Sequence, residues 1–449
     1  MRSLARAVSS LVCSGAALAL SLTVATSALA QSEPAQQVAI NSPPAPLAAG
    51  AQPQDAAATP PADARPADAR PGHAAPPAGR RLFRRAGEVQ EEDGDHAPAF
   101  TEYLRLHAGP LTVEPIALLQ VQAIPYVGSD AFLGANDPAE RGGFRFRRAR
   151  FGLQGRVFHR VPFAISAEFN SDIQGRATLR DGWFGYDRYK FLQVFVGSHN
   201  VPFSRSALAG SGDSALIERP FAVRAMAPFY QLGAHIEGHL FNGGLNYYAG
   251  VYNGLQRTDQ FFTGYVENSA VQGNRFDGLT YAGRLTSEPL GSLGRTIQDL
   301  HHGKFRIAAG ASTFYSDGGT RGVLGLGGDV LLHFRGLHVL GEFIANRSTP
   351  KLMPTQPTTQ TATVTSYGVV GEAGYVILKE RLGLTARFEW IDANTAVKDE
   401  SDSWVLTGGV SYHVLQDFLK AQIDFTHREE LHGKSLKNDS LVIQAQLNL

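Results

Sequence analysis

The chain has 449 residues, 48 of them glycine and one cysteine, with 41 basic residues against 41 acidic ones. That length accommodates one large domain or two ordinary ones. The balanced charge argues against the basic face that nucleic acid requires, and a bundle of membrane helices would need several apolar runs of about 20 residues where only one exists.

That single run lies at the N-terminus and reads as an export signal. Arg2 and Arg6 form a positive start, Leu11 to Val24 is apolar, and Ala28-Leu29-Ala30 is an A-x-A site, so cleavage is expected after Ala30. Cys13, the one cysteine, sits inside this leader. The exported chain then has no thiol, which excludes disulfides, thiol catalysis and cysteine-based metal sites. Without Arg2 and Arg6 it holds 39 basic and 41 acidic residues.

Residues 31–105 are expected to form a disordered periplasmic linker. Their first part is rich in Pro and Ala and contains the repeat Ala62-Asp63-Ala64-Arg65-Pro66, Ala67-Asp68-Ala69-Arg70-Pro71. Such composition cannot bury enough apolar surface to fold. Two charged patches follow, Arg80 to Arg85 and Glu91 to Asp95. They read as a solvated tail or as a contact for the cell wall.

From about Leu111 the texture changes. Short segments alternate apolar and polar residues with period 2, which places alternate side chains on opposite faces of a strand. In Leu382–Trp390, Leu384, Ala386 and Phe388 share one face, and Thr385, Arg387 and Glu389 the other. In Ser440–Leu449, Ile443, Ala445 and Leu447 oppose Ser440, Gln444 and Gln446, with Val442 as the exception. Sixteen such segments begin near residues 115, 144, 163, 179, 191, 230, 244, 280, 305, 323, 337, 363, 382, 404, 418 and 439. Short turns are expected near 160–162, 188–189, 242–243, 335–336, 379–380 and 416–417, with mostly longer connections on the other side. Residues 289–304 break this order, being long where a short turn is due. Short turns at one end and long loops at the other mark an all-β, transmembrane antiparallel barrel of about 16 strands over residues 106–449. In lipid only a closed sheet pairs every backbone group, and sixteen strands enclose an aqueous lumen.

The stretch Phe146-Arg147-Arg148-Ala149-Arg150-Phe151-Gly152-Leu153-Gln154-Gly155, then Leu179-Arg180-Asp181-Gly182-Trp183, Val196-Gly197, Val201-Pro202-Phe203-Ser204 and Glu218-Arg219, resembles the phosphate-selective porin O and P family. The resemblance extends over about residues 111–449. It implies a homotrimeric porin in the outer-membrane lipid, with arginines lining the path of small anions of the phosphate or polyphosphate class. In trimeric porins the third long loop folds into the lumen, and residues 198–229 hold that position.

Arginine suits such a path because its guanidinium is a planar, permanently charged fork, and rings or ladders of Arg and Lys select anions in pores. Alternation turns Arg148, Arg150 and Arg156 into the lumen and Arg145 and Arg147 toward lipid, unless a rim position or a bulge intervenes. Arg284, Arg306 and Arg387 share the inward parity, and Arg205, Arg219 and Arg224 are loop candidates. The alternative is a mixed-charge lumen, since Glu168, Asp181, Glu237, Asp329, Glu342 and Asp424 also have inward parity. His235, Glu237 and His239 share one strand face as polar lumen residues, although two of them could ligate zinc. No metal or cofactor site is assigned. No G-x-S-x-G elbow, P-loop or dinucleotide fingerprint occurs. The expectation is therefore a passive, anion-preferring pore rather than an enzyme. An envelope tether acting through the linker and a barrel enzyme are the alternatives.

Overall fold

The computed structural model describes residues 104–130, 142–169, 177–257, 261–267, 278–294, 296–318, 321–351, 362–415 and 418–449. The leader with its cleavage site, the expected linker up to Tyr103 and the turn at 416–417 lie outside the described residues.

A three-residue strand, β1 (Leu106–Ala108), folds back on the start of β2 (Leu111–Val127). The chain then continues through β3 (Gly143–Val157), β4 (Val161–Glu168), β5 (Thr178–Tyr189) and β6 (Leu192–Asn200). Next come β7 (Tyr230–Leu240), β8 (Leu245–Asn253), β9 (Leu279–Ser287), β10 (Arg306–Ser316) and β11 (Arg321–Phe334). The last six are β12 (Leu337–Pro350), β13 (Val364–Leu378), β14 (Leu382–Asp392), β15 (Ser403–Leu415), β16 (Leu419–Glu430) and β17 (Ser440–Asn448). Each strand from β2 onward pairs antiparallel with the next, and β17 pairs with β2. The result is a closed antiparallel barrel of sixteen strands, with strand starts within four residues of the sixteen read from alternation.

The seam shows why closure works on both faces. Inside it, Gln120 donates to Gln446 at 2.6 Å and Gln122 to Gln444 at 2.9 Å, and Gln444 passes the chain on to Gln422 at 3.1 Å. Outside it, Ile443 and Leu119 stay exposed. Most of the barrel strands repeat this inversion: the buried face is largely polar and the exposed face is apolar. Phe151, Leu326, Phe343, Phe388 and Ile423 all stand outward. At about 25 cal/mol per Å² of apolar surface, such a belt is unsustainable in water and favourable in lipid. Phe158, Tyr189, Phe191, Phe241, Phe334, Tyr375 and Tyr412 ring the short-turn end, all exposed. Aromatic side chains favour that depth, where their apolar body meets the polar interface.

The short turns are tight. Arg335 and Gly336 join β11 to β12 with φ of 48° and 91°, the double positive-φ geometry that matches strand twist. Two turns fall beside their expected places. Val161 already belongs to β4, so the turn is 158–160, and Tyr189 still belongs to β5, so the turn is 190–191. In the second case the strand persists because Tyr189 still pairs with Leu192.

Among the described residues no helix is long and apolar enough to cross a membrane; the crossing is made by strands. Outward positions at mid-strand should therefore be the sensitive ones. Phe388→Arg is expected to cost about 2–4 kcal/mol, and Tyr375→Arg, near the interface, about 0–1 kcal/mol. Urea unfolding in lipid vesicles reads this difference, and equal costs at both sites would contradict the placement.

Candidate permeation pathway

Residues 201–229 enter the lumen and carry two short helices, α1 (Arg205–Leu208) and α2 (Phe221–Met226). Ser204 caps α1 by accepting from the Ala207 N–H at 3.1 Å. Acidic residues on the facing wall hold the loop by its backbone. Glu342 on β12 accepts from the Ser204 hydroxyl at 2.7 Å and from the Ser206 N–H and hydroxyl. Glu389 on β14 accepts from the Ala222 N–H at 3.0 Å, and Asp424 on β16 from the Ile217 N–H at 2.6 Å. Hydrogen bonds to charged groups contribute about 1.5–3 kcal/mol each.

Packing completes the attachment. Ile217 buries against Ile124 and Val442, so the residue that broke the alternation of β17 is an apolar seat for the loop. Phe203 meets Phe314 edge to face at 4.9 Å. At Gly409 a Cβ would lie 2.2 Å from an Asp424 carboxylate oxygen and 2.5 Å from Leu216 of the loop, so glycine lets both stand where they are.

The long connection at 288–305 also folds inward, from the short-turn end. Leu293 and Ile297 bury against Ala308, Leu331 and Leu340, and meet Ala209 of the loop. The Ile297 carbonyl bonds to the His333 ring at 2.6 Å, and Asp299 accepts from the Gly336 N–H at 2.7 Å. Its long length is thus explained: it fills the lumen beside β10 to β12. His301 stays exposed, bonded to Glu380 at 3.0 Å, whereas the His302 ring bonds to the Val376 carbonyl at 2.8 Å.

Between the loop and the strands from β2 to β8 lies a cavity of about 300 Å³, continuous with solvent. Arg150, Arg180 and Arg219 line it, together with Asp181, Asp213 and Glu237. Two bulges build its arginine side. The β2–β3 register slips beside Gln120, making Arg147 the extra residue on β3. Arg145 and Arg147 consequently turn inward, against the simple parity that sent them toward lipid. Arg145 donates to Gln122 at 2.8 and 2.9 Å, and Arg147 to Glu218 at 2.6 and 3.2 Å. The β4–β5 register slips beside Ser166, making Arg180 the extra residue on β5. Both Arg180 and Asp181 then reach the cavity. An extra residue of this kind re-aims side chains without ending the strand.

The expected arginines divide by surroundings. Arg150 pairs with Glu168 and donates to Ser211 at 3.4 Å. Arg148 donates to Gln120 at 2.7 Å and lies 3.5 Å from Glu218. Arg156 pairs with Asp187 at 2.6 Å at the short-turn mouth. Arg205 and Arg284 share Asp329, at 2.9 and 2.7 Å. Arg284 also donates to the Phe203 carbonyl at 2.7 Å. Arg387 joins Glu389 at 3.0 Å and donates to the Glu218 carbonyl at 2.9 Å. Arg306 donates to the Ser292 carbonyl at 3.2 Å, and the Arg224 guanidinium lies 4.8 Å over the Phe221 ring. Arg205, Arg284 and Arg387 therefore fasten the inserted loop, and only Arg150 and Arg219 of the expected set line the cavity. Arg180 joins them unforeseen, since a bulge leaves no trace in a period-2 count. His235 and Glu237 line the cavity as well, and His239 bonds Asn246 at 2.7 Å. Among the described residues no group of three or more His, Cys, Asp or Glu is placed to hold a metal ion.

Two loop residues register the electrostatics. Burial opposes ionisation of Glu218, but Arg147 and Arg148 outweigh it and hold the carboxyl well below the usual carboxylate range. Burial, then the neighbouring Arg180 and Arg150 guanidiniums, push Arg219 down to about 10. Arg219 donates to the Ser206 and Ala209 carbonyls at 3.0 and 2.6 Å, and among the described residues it forms no ion pair.

A closed barrel with an apolar outer belt and a polar lumen narrowed by its own loops is a porin-type channel. Residues 127–322 match the family model of phosphate-selective porin O and P. The matched part runs from β3 to β10 and contains the inserted loop, so it carries the arginine side of the cavity. No curated protein matches the sequence. Among solved structures, the outer membrane channel DcaP of Acinetobacter baumannii has a TM-score of 0.50 at 12% identity, covering 76% of this chain and 99% of that chain. OmpT, an outer membrane protein of Vibrio cholerae, gives 0.49 at 10% identity over 77% of this chain and 99% of that chain. Pseudomonas aeruginosa OccK11 gives 0.41 at 11% over 76% and 96%. At 12% identity the likeness to DcaP is one of fold. The family match, with the closed barrel and its apolar belt, supports an outer-membrane barrel of the channel type.

The depressed Glu218 carboxyl fixes a pH expectation. Its contribution is present above the ordinary Glu value and is lost only as pH falls through the lower folded value. Glu218→Gln should therefore add single-channel current noise at neutral pH and still add it at about pH 4.3, where an ordinary Glu is half protonated. A variant noisier than the wild type at neutral pH but indistinguishable from it at about pH 4.3 would contradict the depressed carboxyl.

Proposed function

We propose that this channel passes small hydrophilic solutes passively and prefers anions, without chemistry on them. The observation that carries the preference is Arg219. Its charge is balanced by carbonyl dipoles rather than by a carboxylate, and it stands beside Arg150 and Arg180 on the same cavity wall. Fixed positive charge in a narrow wall lowers the barrier for anions. Glu168, shared by Arg150 and Arg180, and Asp181, Asp213 and Glu237 temper that field. The preference should therefore be moderate rather than absolute.

The family resemblance supports phosphate or polyphosphate as a permeant class and a homotrimer as the assembly. Export with cleavage after Ala30, and contact of residues 31–105 with the cell wall, belong to the same proposal. The inserted loop of residues 201–229 is spent on narrowing a passage, which favours a channel over an envelope tether or a barrel enzyme.

In planar bilayers with a potassium chloride gradient, the reversal potential should shift toward chloride. Arg150→Gln combined with Arg180→Gln should move it back toward zero. A wild-type reversal potential on the potassium side would refute the anion preference, and an unmoved double variant would refute the role of these arginines.

A further inference from the structure

Porin lumens are ordinarily polar, yet one wall of this cavity is aromatic. Trp183 on β5, Phe195 on β6, His235 on β7 and Tyr248 on β8 all face it. Trp183 meets Phe195 edge to face at 5.6 Å, and Phe195 stacks on His235 at 5.2 Å. His235 in turn meets His199 at 4.5 Å. These rings come from adjacent strands, so they form one continuous strip. Phe195 is buried beneath it, while Trp183 and Tyr248 are only half-buried and present their surfaces to the open space.

The strip abuts the arginine cluster. Tyr230, which also lines the cavity, lies 4.1 Å beneath the Arg180 guanidinium. Arg180 is buried to 8% exposure and pairs with Glu168 at 3.7 Å and Glu267 at 3.3 Å, while its solvent-shielded Nε has no hydrogen-bond partner among the described residues. The same holds for Nε2 of His199 and for both ring nitrogens of His235. A flat apolar surface thus borders closely spaced guanidiniums that share the carboxylates Glu168 and Glu267 along the cavity.

We propose that the solute this passage favours is an aromatic carboxylate, its ring against Trp183 and Tyr248 and its carboxylate toward Arg180 and Arg150. This rests on the anion preference proposed above and narrows it. A guanidinium fork receives a carboxylate through two parallel hydrogen bonds, and ring faces favour offset or edge-on contact with another ring. A tetrahedral, heavily hydrated inorganic phosphate would use the arginines and gain nothing from the strip.

The test compares benzoate with cyclohexanecarboxylate, which has the same charge and nearly the same size but no π system, using the full chain in planar bilayers. Bi-ionic reversal potentials give the permeability ratio. A wild-type ratio above one is expected, falling roughly threefold in Trp183→Leu, the scale of one aromatic contact, and retained in Trp183→Phe. The wild-type comparison does not depend on any variant folding. A wild-type ratio of one, or a ratio unchanged in both Trp183→Leu and Tyr248→Leu, overturns the aromatic assignment. Inorganic phosphate more permeant than benzoate overturns it too. A wild type selective for potassium over chloride instead refutes the underlying anion reading, so the two failures are told apart.

Discussion

In hydrocarbon a backbone N–H or C=O has no water to turn to, so a strand can cross only if both of its edges are paired. The pairing of β17 with β2 meets that condition, and much else in this molecule follows from it. A closed ring fixes which face of each strand meets lipid and which meets the lumen. That in turn imposes the period-2 alternation, concentrates Phe, Leu and Ile on the outside, and leaves polar side chains no place but the interior. The glutamines across the seam are one consequence, satisfied by one another inside the ring.

An interior crowded with polar groups is also what allows the barrel to fill itself. The acids of β12, β14 and β16 are spent on the inserted loop, accepting from its N–H and hydroxyl groups. Arg205, Arg284 and Arg387 are spent beside them, on Asp329, Glu389 and loop carbonyls. The opposite wall keeps Arg150, Arg180 and Arg219 along the passage. Residues 101–449 hold 33 basic and 32 acidic side chains, so the net charge conceals this division. The field along the passage depends on which charges stand there, not on the sum.

Much of the fold was legible in the residues. Strand starts and the inward position of Gln444, Gln446 and Arg387 follow from alternation, because period 2 is a local property of an extended chain. The excess length of residues 289–304 was visible too, as an anomaly without an explanation. Its purpose depends on Leu293 and Ile297 meeting Leu331 and Leu340, contacts between segments far apart in sequence. Val442 was likewise an irregularity until Ile217 was found seated on it.

The sequence by itself determined the class: sixteen alternating segments, short turns against long loops, and an arginine-rich strand that resembles one porin family. Those features are periodic or compositional, and periodicity survives without knowledge of neighbours. Only the tertiary structure decided the passage. Arg147 and Arg180 reach the lumen because one residue is extra in a register with another strand, and register is a relation between two segments. Which arginines stay on the passage wall depended on where a loop of 29 residues, 201–229, came to rest, and on the carboxylates waiting for it there.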